Sequence, residues 1–441
     1  MSKVYIETYG CQMNVADSEV VSAILLKQNY NLTHIPADAD LILVNTCSIR
    51  DHAEIKVKSR IRALGSIKKS NGQRIIGVIG CMAERLKEEI LQELPEVSLI
   101  AGPDSYRDLP RLLSIASQNE PGINTQLSLE ETYAEISPVR LDENNVTAFI
   151  SIMRGCNNFC SYCVVPYTRG RERSRDPETI LNEIANLIEK GYKEVTLLGQ
   201  NVNSYHFLAQ RNQEINFPGL LKKIAVHYPD LRLRFATSHP KDMSDDLLRI
   251  MADHSRICKH IHLPVQSGSS SVLKRMNRKY TSSDYFKKID AIRKFIPEAS
   301  ISTDIITGFP GETETDHQLT LSLMKQIAYD FAYMFKYSER PGTLAQKKFK
   351  DDIPEETKTR RLNEIISLQS ELSLISKKKD IGKEFEVLAE GTSKKSDAHL
   401  FGRTSQNKVV VFPKRYHLPG DYVKLRVKDC TSATLMGYED D

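Results

Sequence analysis

The chain has 441 residues, 40% hydrophobic and 27% charged, which suits about three globular domains with cores of their own and excludes a disordered chain. Its net charge is only +4, so any nucleic-acid surface must come from local clustering of cations. The N-terminus MSKVYIETYGCQMN has no signal-peptide core and the longest apolar runs, such as LILV at 41–44, are strand-length; these features exclude a spanning helix and point to a cytoplasmic protein.

The first part alternates strand and helix patterns: KVYIETYG, a helix from Ala16 to Gln28, ADLILVNT, a helix near Ala53 to Lys69, RIIGVIG, MAERLKEEILQEL, VSLIAG and PDSYRDLPRLLSIASQ. Such units predict a parallel sheet wrapped by helices. Residues 118–141 are polar, acidic and aperiodic, and are expected to form a linker. A second series follows, with strands in VTAFISIM, EVTLLG, LRLRFAT, KHIHLPV, SISTDIITGF and FAYMFKY. Six β-α units predict a barrel or partial barrel whose chemistry sits at the carboxyl ends of the strands. After a helix over 354–378, the segments KEFEVLAEG, KVVVF and DYVKLRVKD predict a small all-β barrel. The expected fold class is therefore α/β: an N-terminal sheet domain (1–117), a linker (118–141), a central (β/α)6 partial TIM barrel (142–373) and a C-terminal β-barrel (374–440).

Two groups of three cysteines carry the chemistry. Cys156, Cys160 and Cys163 form C-x3-C-x2-C after the first barrel strand. In a reducing compartment such thiols read as metal ligands. A structural zinc site needs a fourth ligand, which here would have to be distant; three thiolates can instead hold a [4Fe–4S] cluster with one iron open. Cys11, Cys47 and Cys81 each stand just past a predicted strand. In a parallel sheet those ends share one edge, so the three can converge on a shared metal centre, although buried thiols are also common without one. Cys258 and Cys430 fall outside both patterns and are read as structural, as are His239, His260 and His262, which lack metal-ligand spacing.

The triplet with Tyr162 before its last cysteine resembles the radical S-adenosylmethionine enzymes. The resemblance implies that the open iron binds S-adenosylmethionine, whose reductive cleavage gives a 5′-deoxyadenosyl radical. LGQNVNSY, HLPVQSGS and TDIITGFPGET are similar to that superfamily's cofactor-contacting segments. Together with the triplet and Ser238 of RFATSHPKD, they nominate Tyr162, Gly199, Gln200, Asn201, Ser238, Gln266, Asp304 and Gly308 for the cofactor. TYGCQMN, NTCSIRDHAE and GCMAER extend the likeness to the methylthiotransferases of that superfamily, with all six ligand cysteines in register. There Cys11, Cys47 and Cys81 would hold an auxiliary [4Fe–4S] cluster. One S-adenosylmethionine would methylate a sulfur on it, and a second would supply the radical. The catalytic residues beyond the cluster ligands, including the acceptor of the C2 hydrogen, stay unknown.

TRGRERSR puts Arg169, Arg171, Arg173 and Arg175 just beyond the triplet. Arginine forks suit phosphate, which is the reading preferred here over a solvated face or internal ion pairs with Glu172 and Asp176. Further cations, with Lys408, Lys414 and Arg415 as RNA-binding candidates, lie in the C-terminal segment, which resembles the RNA-binding TRAM domain. Glu439 to Asp441 read as a solvated acidic tail. The motifs look most like the methylthiotransferase branch acting on tRNA. That likeness implies an anticodon stem-loop partner and conversion of N6-isopentenyladenosine, 3′ of the anticodon, to its 2-methylthio form. It also implies a flavodoxin- or ferredoxin-like electron donor, a sulfur source and a monomer, with no membrane partner. His206 and the irregular FLAQRNQEINFP depart from the family pattern. Three other readings stand beside this one: a sister enzyme for N6-threonylcarbamoyladenosine, a ribosomal-protein aspartate modifier, and a non-catalytic iron–sulfur RNA-binding redox sensor.

Overall fold

Short β-branched runs separated by helical periods can bury both faces of a sheet only if helices cover them, and that is the arrangement found. The structure is a computed structural model describing residues 2–47, 51–67, 74–141, 144–208 and 214–440. Residues 209–213, within the irregular FLAQRNQEINFP, lie outside these, as do Asp441 and the last two residues of the helix expected to reach Lys69.

The N-terminal sheet is wholly parallel. Its order is Asn31–Leu32, Lys3–Thr8, Leu41–Thr46, Ile75–Gly80, Leu99–Ala101 and Gly122–Asn124. Helices Gln12–Lys27 and Leu109–Ser117 bury one face, while Asp51–Gly65 and Cys81–Leu86 cover the other. The run expected to be one helix from Met82 to Leu94 breaks at Lys87, whose φ is +49°, into Cys81–Leu86 and Glu89–Glu93.

Residues 118–141 are not a free linker. Gly122–Asn124 adds the sixth strand, Tyr133 and Ile136 are buried in the core, and Arg140 joins an internal ion network. Polar composition hid this role because an edge strand three residues long gives no alternation to read.

The central region is an open barrel made of two parallel sheets, Thr147–Ser151, Glu194–Leu198 and Arg232–Phe235, then His260–His262, Ser300–Thr307 and Phe331–Lys336. A bridge between Leu233 and Ile257 joins them. All six expected strands are present. Alternate residues such as Ile150, Val195, Leu233, Ile261 and Ile305 pack outward under the helices as one large core, so their neighbours face the lumen.

Helix Glu355–Lys378 covers the last strand and runs through the boundary expected at 373/374. The C-terminal domain itself is a closed barrel of Glu384–Ser393, Ser396–Thr404, Val409–Pro413, Tyr422–Cys430 and Leu435–Tyr438. It is bolted to the amino ends of the central strands. Arg232 and Arg234, both held by Glu194, donate to the carbonyl oxygens of Arg403 and Thr404 at 2.6 and 2.7 Å. No helix among the described residues is long and apolar enough to cross a membrane.

Candidate metal and cofactor centres

Three adjacent parallel strands deliver the N-terminal trio. Cys11 caps helix Gln12–Lys27, Cys47 follows Leu41–Thr46, and Cys81 opens helix Cys81–Leu86. The register Thr8 to Asn45 and Thr46 to Gly80 sets all three on one sheet edge. Gly10, at φ +123°, makes the approach possible: a Cβ there would lie 2.5 Å from the Cβ of Cys47. A buried amide clamp, which sequence reading missed, fixes the edge. Asn14 Nδ2 donates to Asn45 Oδ1 at 2.9 Å, and Asn45 Nδ2 donates to Asn14 O and Ser18 Oγ. The hydrogen bond with Cys47 pulls the Cys11 thiol down to about 6, with Arg169 acting in the same direction. Arg340 lies close enough to Cys47 to feel its charge.

The second trio occupies the loop between Met153–Arg154 and helix Val165–Thr168. Gly155 turns this loop at φ +78°, where a Cβ would collide with Arg171 O at 1.9 Å. Long-range partners hold the loop open: Ser161 N donates to Met276 O, Asn277 Nδ2 to Phe159 O, and Lys241 Nζ to Asn158 Oδ1. Arg278, which the sequence did not flag, is buried and donates from Nη1 to Cys160 Sγ at 3.3 Å. Burial pushes Cys156 up to about 11 and Cys163 to about 12, and the neighbouring thiols add to the rise. A cationic metal core beside Cys156 and Cys163 would offset that rise, so these residues fit a metal cluster.

Around the carboxyl ends of the barrel strands lies a ring of buried polar atoms with no protein partner. Gln200 Nε2, Asn201 Oδ1, Ser238 Oγ and Gln266 Oε1 are four of the nominated cofactor residues; Asn203 and Thr307 Oγ1 join them from outside the nominated set. Unpaired buried groups of this kind fit a polar ligand that carries both donors and acceptors. The other nominees are placed differently. Tyr162 packs beside Phe309 and Tyr337, Gly199 lies against Met153, and Gly308 N donates to Glu312. Asp304 faces the lumen, 3.4 Å from His262 Nε2.

The arginine strip is corrected by the structure. Arg169, Arg173 and Arg175 are 3, 6 and 5% exposed, so they present no phosphate-binding face. Their partners are not Glu172 and Asp176, which bind the Asn157 amide and cap helix Pro177–Glu189. Asp17 instead accepts from Arg154 and Arg169, each at 2.8 Å, Asp104 from Arg173 at 2.9 Å, and Glu183 from Arg175. Burial alone pushes Asp17 up, but Arg154 and Arg169 outweigh it and hold the carboxyl below its usual range. Only Arg171 is exposed, its guanidinium 4.4 Å from the Phe159 ring centroid. Arg169 and Arg173 thus form an ionic lock between sheet domain and barrel, while Arg175 is tied to helix Pro177–Glu189 of the barrel itself.

The C-terminal candidates divide likewise. Lys408 is largely buried against Asp330 and Asp380, whereas Arg415 is exposed and Lys414 half-buried. The acidic tail is not free: Glu439 pairs with His417 and Arg415, and Asp440 with Arg426.

The lumen has an aromatic wall that the sequence did not reveal. Phe331 and Tyr333 are 47 and 49% exposed and stand edge to face at 4.8 Å. Tyr333 meets His262 at 5.8 Å, and His260 and His262 share Ser302 Oγ. Burial drives the His260 pKa down to about 3, so that ring is neutral.

These features define a radical S-adenosylmethionine enzyme. Residues 150–324 match the Radical SAM superfamily, 3–102 the Uncharacterized protein family UPF0004, and 378–438 the TRAM domain. The open barrel resembles that of the radical S-adenosylmethionine methyltransferase TsrM from Kitasatospora setae, solved with tryptophan substrate and a SAM analogue. The TM-score is 0.56 at 14% identity, over 78% of this chain and 75% of that one, a likeness of fold alone.

Nearer relatives are full-length. The tRNA-2-methylthio-N(6)-dimethylallyladenosine synthase of Phocaeicola vulgatus is 56% identical over 438 residues, spanning 99% of this chain and 96% of its own. Those of Bacteroides thetaiotaomicron and Porphyromonas gingivalis are each 55% identical, over 96 and 94% of their lengths. The chain belongs to this family of tRNA-2-methylthio-N(6)-dimethylallyladenosine synthases.

Proposed function

We propose that the chain replaces the C2 hydrogen of N6-isopentenyladenosine, 3′ of the tRNA anticodon, with a methylthio group, using two S-adenosylmethionine molecules. Cys156, Cys160 and Cys163 hold one [4Fe–4S] cluster and Cys11, Cys47 and Cys81 the other. When bound, these cofactors supply the hydrogen-abstracting radical and the sulfur to be transferred, chemistry that side chains lack. A flavodoxin- or ferredoxin-like reductant and a sulfur source complete the requirements of a cytoplasmic monomer.

The protein's own part is positioning. Gln200, Asn201, Ser238 and Gln266 offer unpaired donors and acceptors to S-adenosylmethionine at the strand ends. The ion pairs of Asp17 with Arg154 and Arg169 hold the two cysteine trios in one fixed relation. The base enters splayed from its loop, as enzymes acting on RNA bases require, and Tyr333 and Phe331 offer it a stacking face. Lys414, Arg415 and Arg171 receive phosphate.

The observation that carries this reading is the joining of the two trios through Arg169, which reaches from the barrel to Cys81 at 3.2 Å. The lumen favours the isopentenyl group over its rival. An apolar alkenyl chain suits the aromatic pair, whereas the carboxylate of threonylcarbamoyladenosine would meet the like charge of Asp304, which faces the lumen. Nucleoside analysis of tRNA from a deletion strain tests the assignment. Loss of 2-methylthio-isopentenyladenosine with accumulation of isopentenyladenosine is expected; an undiminished methylthio-nucleoside refutes it.

A further inference from the structure

Arg169 is the C-cap of the short helix that follows the Cys163 loop, yet its side chain ends in the other domain. Helix Val165–Thr168 packs against helix Cys81–Leu86, which carries the guanidinium across the interface. Its three nitrogens have three different situations. Nε donates to Cys81 Sγ at 3.2 Å, and Nη2 donates to Asp17 Oδ2 at 2.8 Å. Nη1 is fully buried and has no protein acceptor. An arginine retained only as an ion-pair partner for Asp17 would not need its fork aimed at a thiol, and a buried N–H without an acceptor costs about 1–3 kcal/mol.

The charges lead the same way. Arg154, Arg169 and Arg173 face only Asp17 and Asp104 within this network, so three cations meet two carboxylates. The excess positive charge borders Cys81 and also acts on Cys11. An iron–sulfur cube held by three thiolates is a net anion with sulfide acceptors on its faces. It would neutralise the excess and accept the unpaired Nη1 proton.

We infer that Arg169 is a contact residue of the auxiliary centre. Nε holds the Cys81 thiolate, Nη1 donates to an anionic sulfur of the bound cluster, and the cation raises the centre's reduction potential. Hydrogen bonds and positive charge at cluster sulfurs both stabilise the reduced state. The segment that carries one trio therefore tunes the other. This inference rests on the reading of Cys11, Cys47 and Cys81 as cluster ligands.

The test uses full-length protein with Cys156, Cys160 and Cys163 all changed to Ala, reconstituted anaerobically with iron and sulfide, so that only the auxiliary centre fills. Redox titration followed by electron paramagnetic resonance compares Arg169 with Arg169→Gln and Arg169→Lys. Arg169→Gln is expected to bind the cluster at a lower midpoint potential with altered g values. Arg169→Lys, which keeps charge but not the fork, should hold the potential near native with altered g values. A loaded Arg169→Gln with native potential and spectrum overturns the inference, and so does an Arg169→Lys potential that falls as far as the Gln variant's. Should Arg169→Gln fail to load, the lysine variant decides: native g values refute the contact, and changed g values support it. If the Arg169 protein itself binds no cluster in this background, the ligand reading fails instead.

Discussion

Asp17 and Arg154 are 137 positions apart in sequence and 2.8 Å apart in space, at 1 and 2% side-chain exposure. The pair ties the first helix of the sheet domain to the short strand Met153–Arg154 that leads into the Cys156 loop. Because Asp17 also holds Arg169, one carboxylate sets the relation of both cysteine trios.

Replacing Asp17 by Asn removes the carboxylate that Arg169 pairs with and leaves the buried Arg154 with Asp104 alone, at 3.5 Å. Breaking a buried pair from one side costs about 3–5 kcal/mol. Urea unfolding of the apoprotein should show a loss of that order for D17N. A change under 1 kcal/mol would mean that the network is not holding the domains together.

Glu84 gives a pH dependence of the opposite sign to an ordinary ion-paired carboxylate. It is 3% exposed, its Oε2 has no partner, and burial pushes its pKa up from 4.5 to about 7 despite Lys87. Between those values the folded protein keeps a proton that the unfolded chain has released, so stability falls as pH rises through the window. Glu84→Gln should remove that slope, gaining roughly 3 kcal/mol over native between pH 4.5 and pH 8. Parallel pH–stability curves for the two apoproteins would contradict this.

Among the four arginines after the triplet, Arg171 alone is exposed. Arg171→Ala should weaken tRNA binding and reduce the slope of log affinity against log salt by about 1. Arg173→Ala should act on folding instead, since the buried Asp104 would lose its nearer cation and keep only Arg154, at 3.5 Å. Equal salt slopes for native and R171A would remove Arg171 from the RNA surface.

Tyr333→Ala should raise KM for an isopentenylated anticodon stem-loop by about 5- to 150-fold, the worth of one stacked base at 1–3 kcal/mol. Cleavage of S-adenosylmethionine without RNA should be unchanged. An unaltered KM would mean that the base does not use this wall.

What could be read in the sequence was whatever short spacing or strand alternation determines. C-x3-C-x2-C and the three strand-end cysteines are local signals, and the barrel strands around Ile150, Val195 and Ile305 announce themselves as apolar runs. Arg169, Arg173 and Arg175 show where reading fails. A basic strip has one appearance whether it faces solvent or lies inside, and its counter-charges sit at Asp17, Asp104 and Glu183. Asn14, Asn45, Arg278 and the Phe331–Tyr333 wall were missed for the same reason: their roles come from contacts across the fold. Gly122–Asn124 was hidden by brevity.

Metal content after anaerobic reconstitution tests the central claim most directly. The account predicts about eight irons per chain in the native protein and about four after either trio is changed to Ala. The variant lacking Cys11, Cys47 and Cys81 should still produce 5′-deoxyadenosine under dithionite while forming no methylthio product. Zinc in either site, or a native protein with a single cluster, would contradict it.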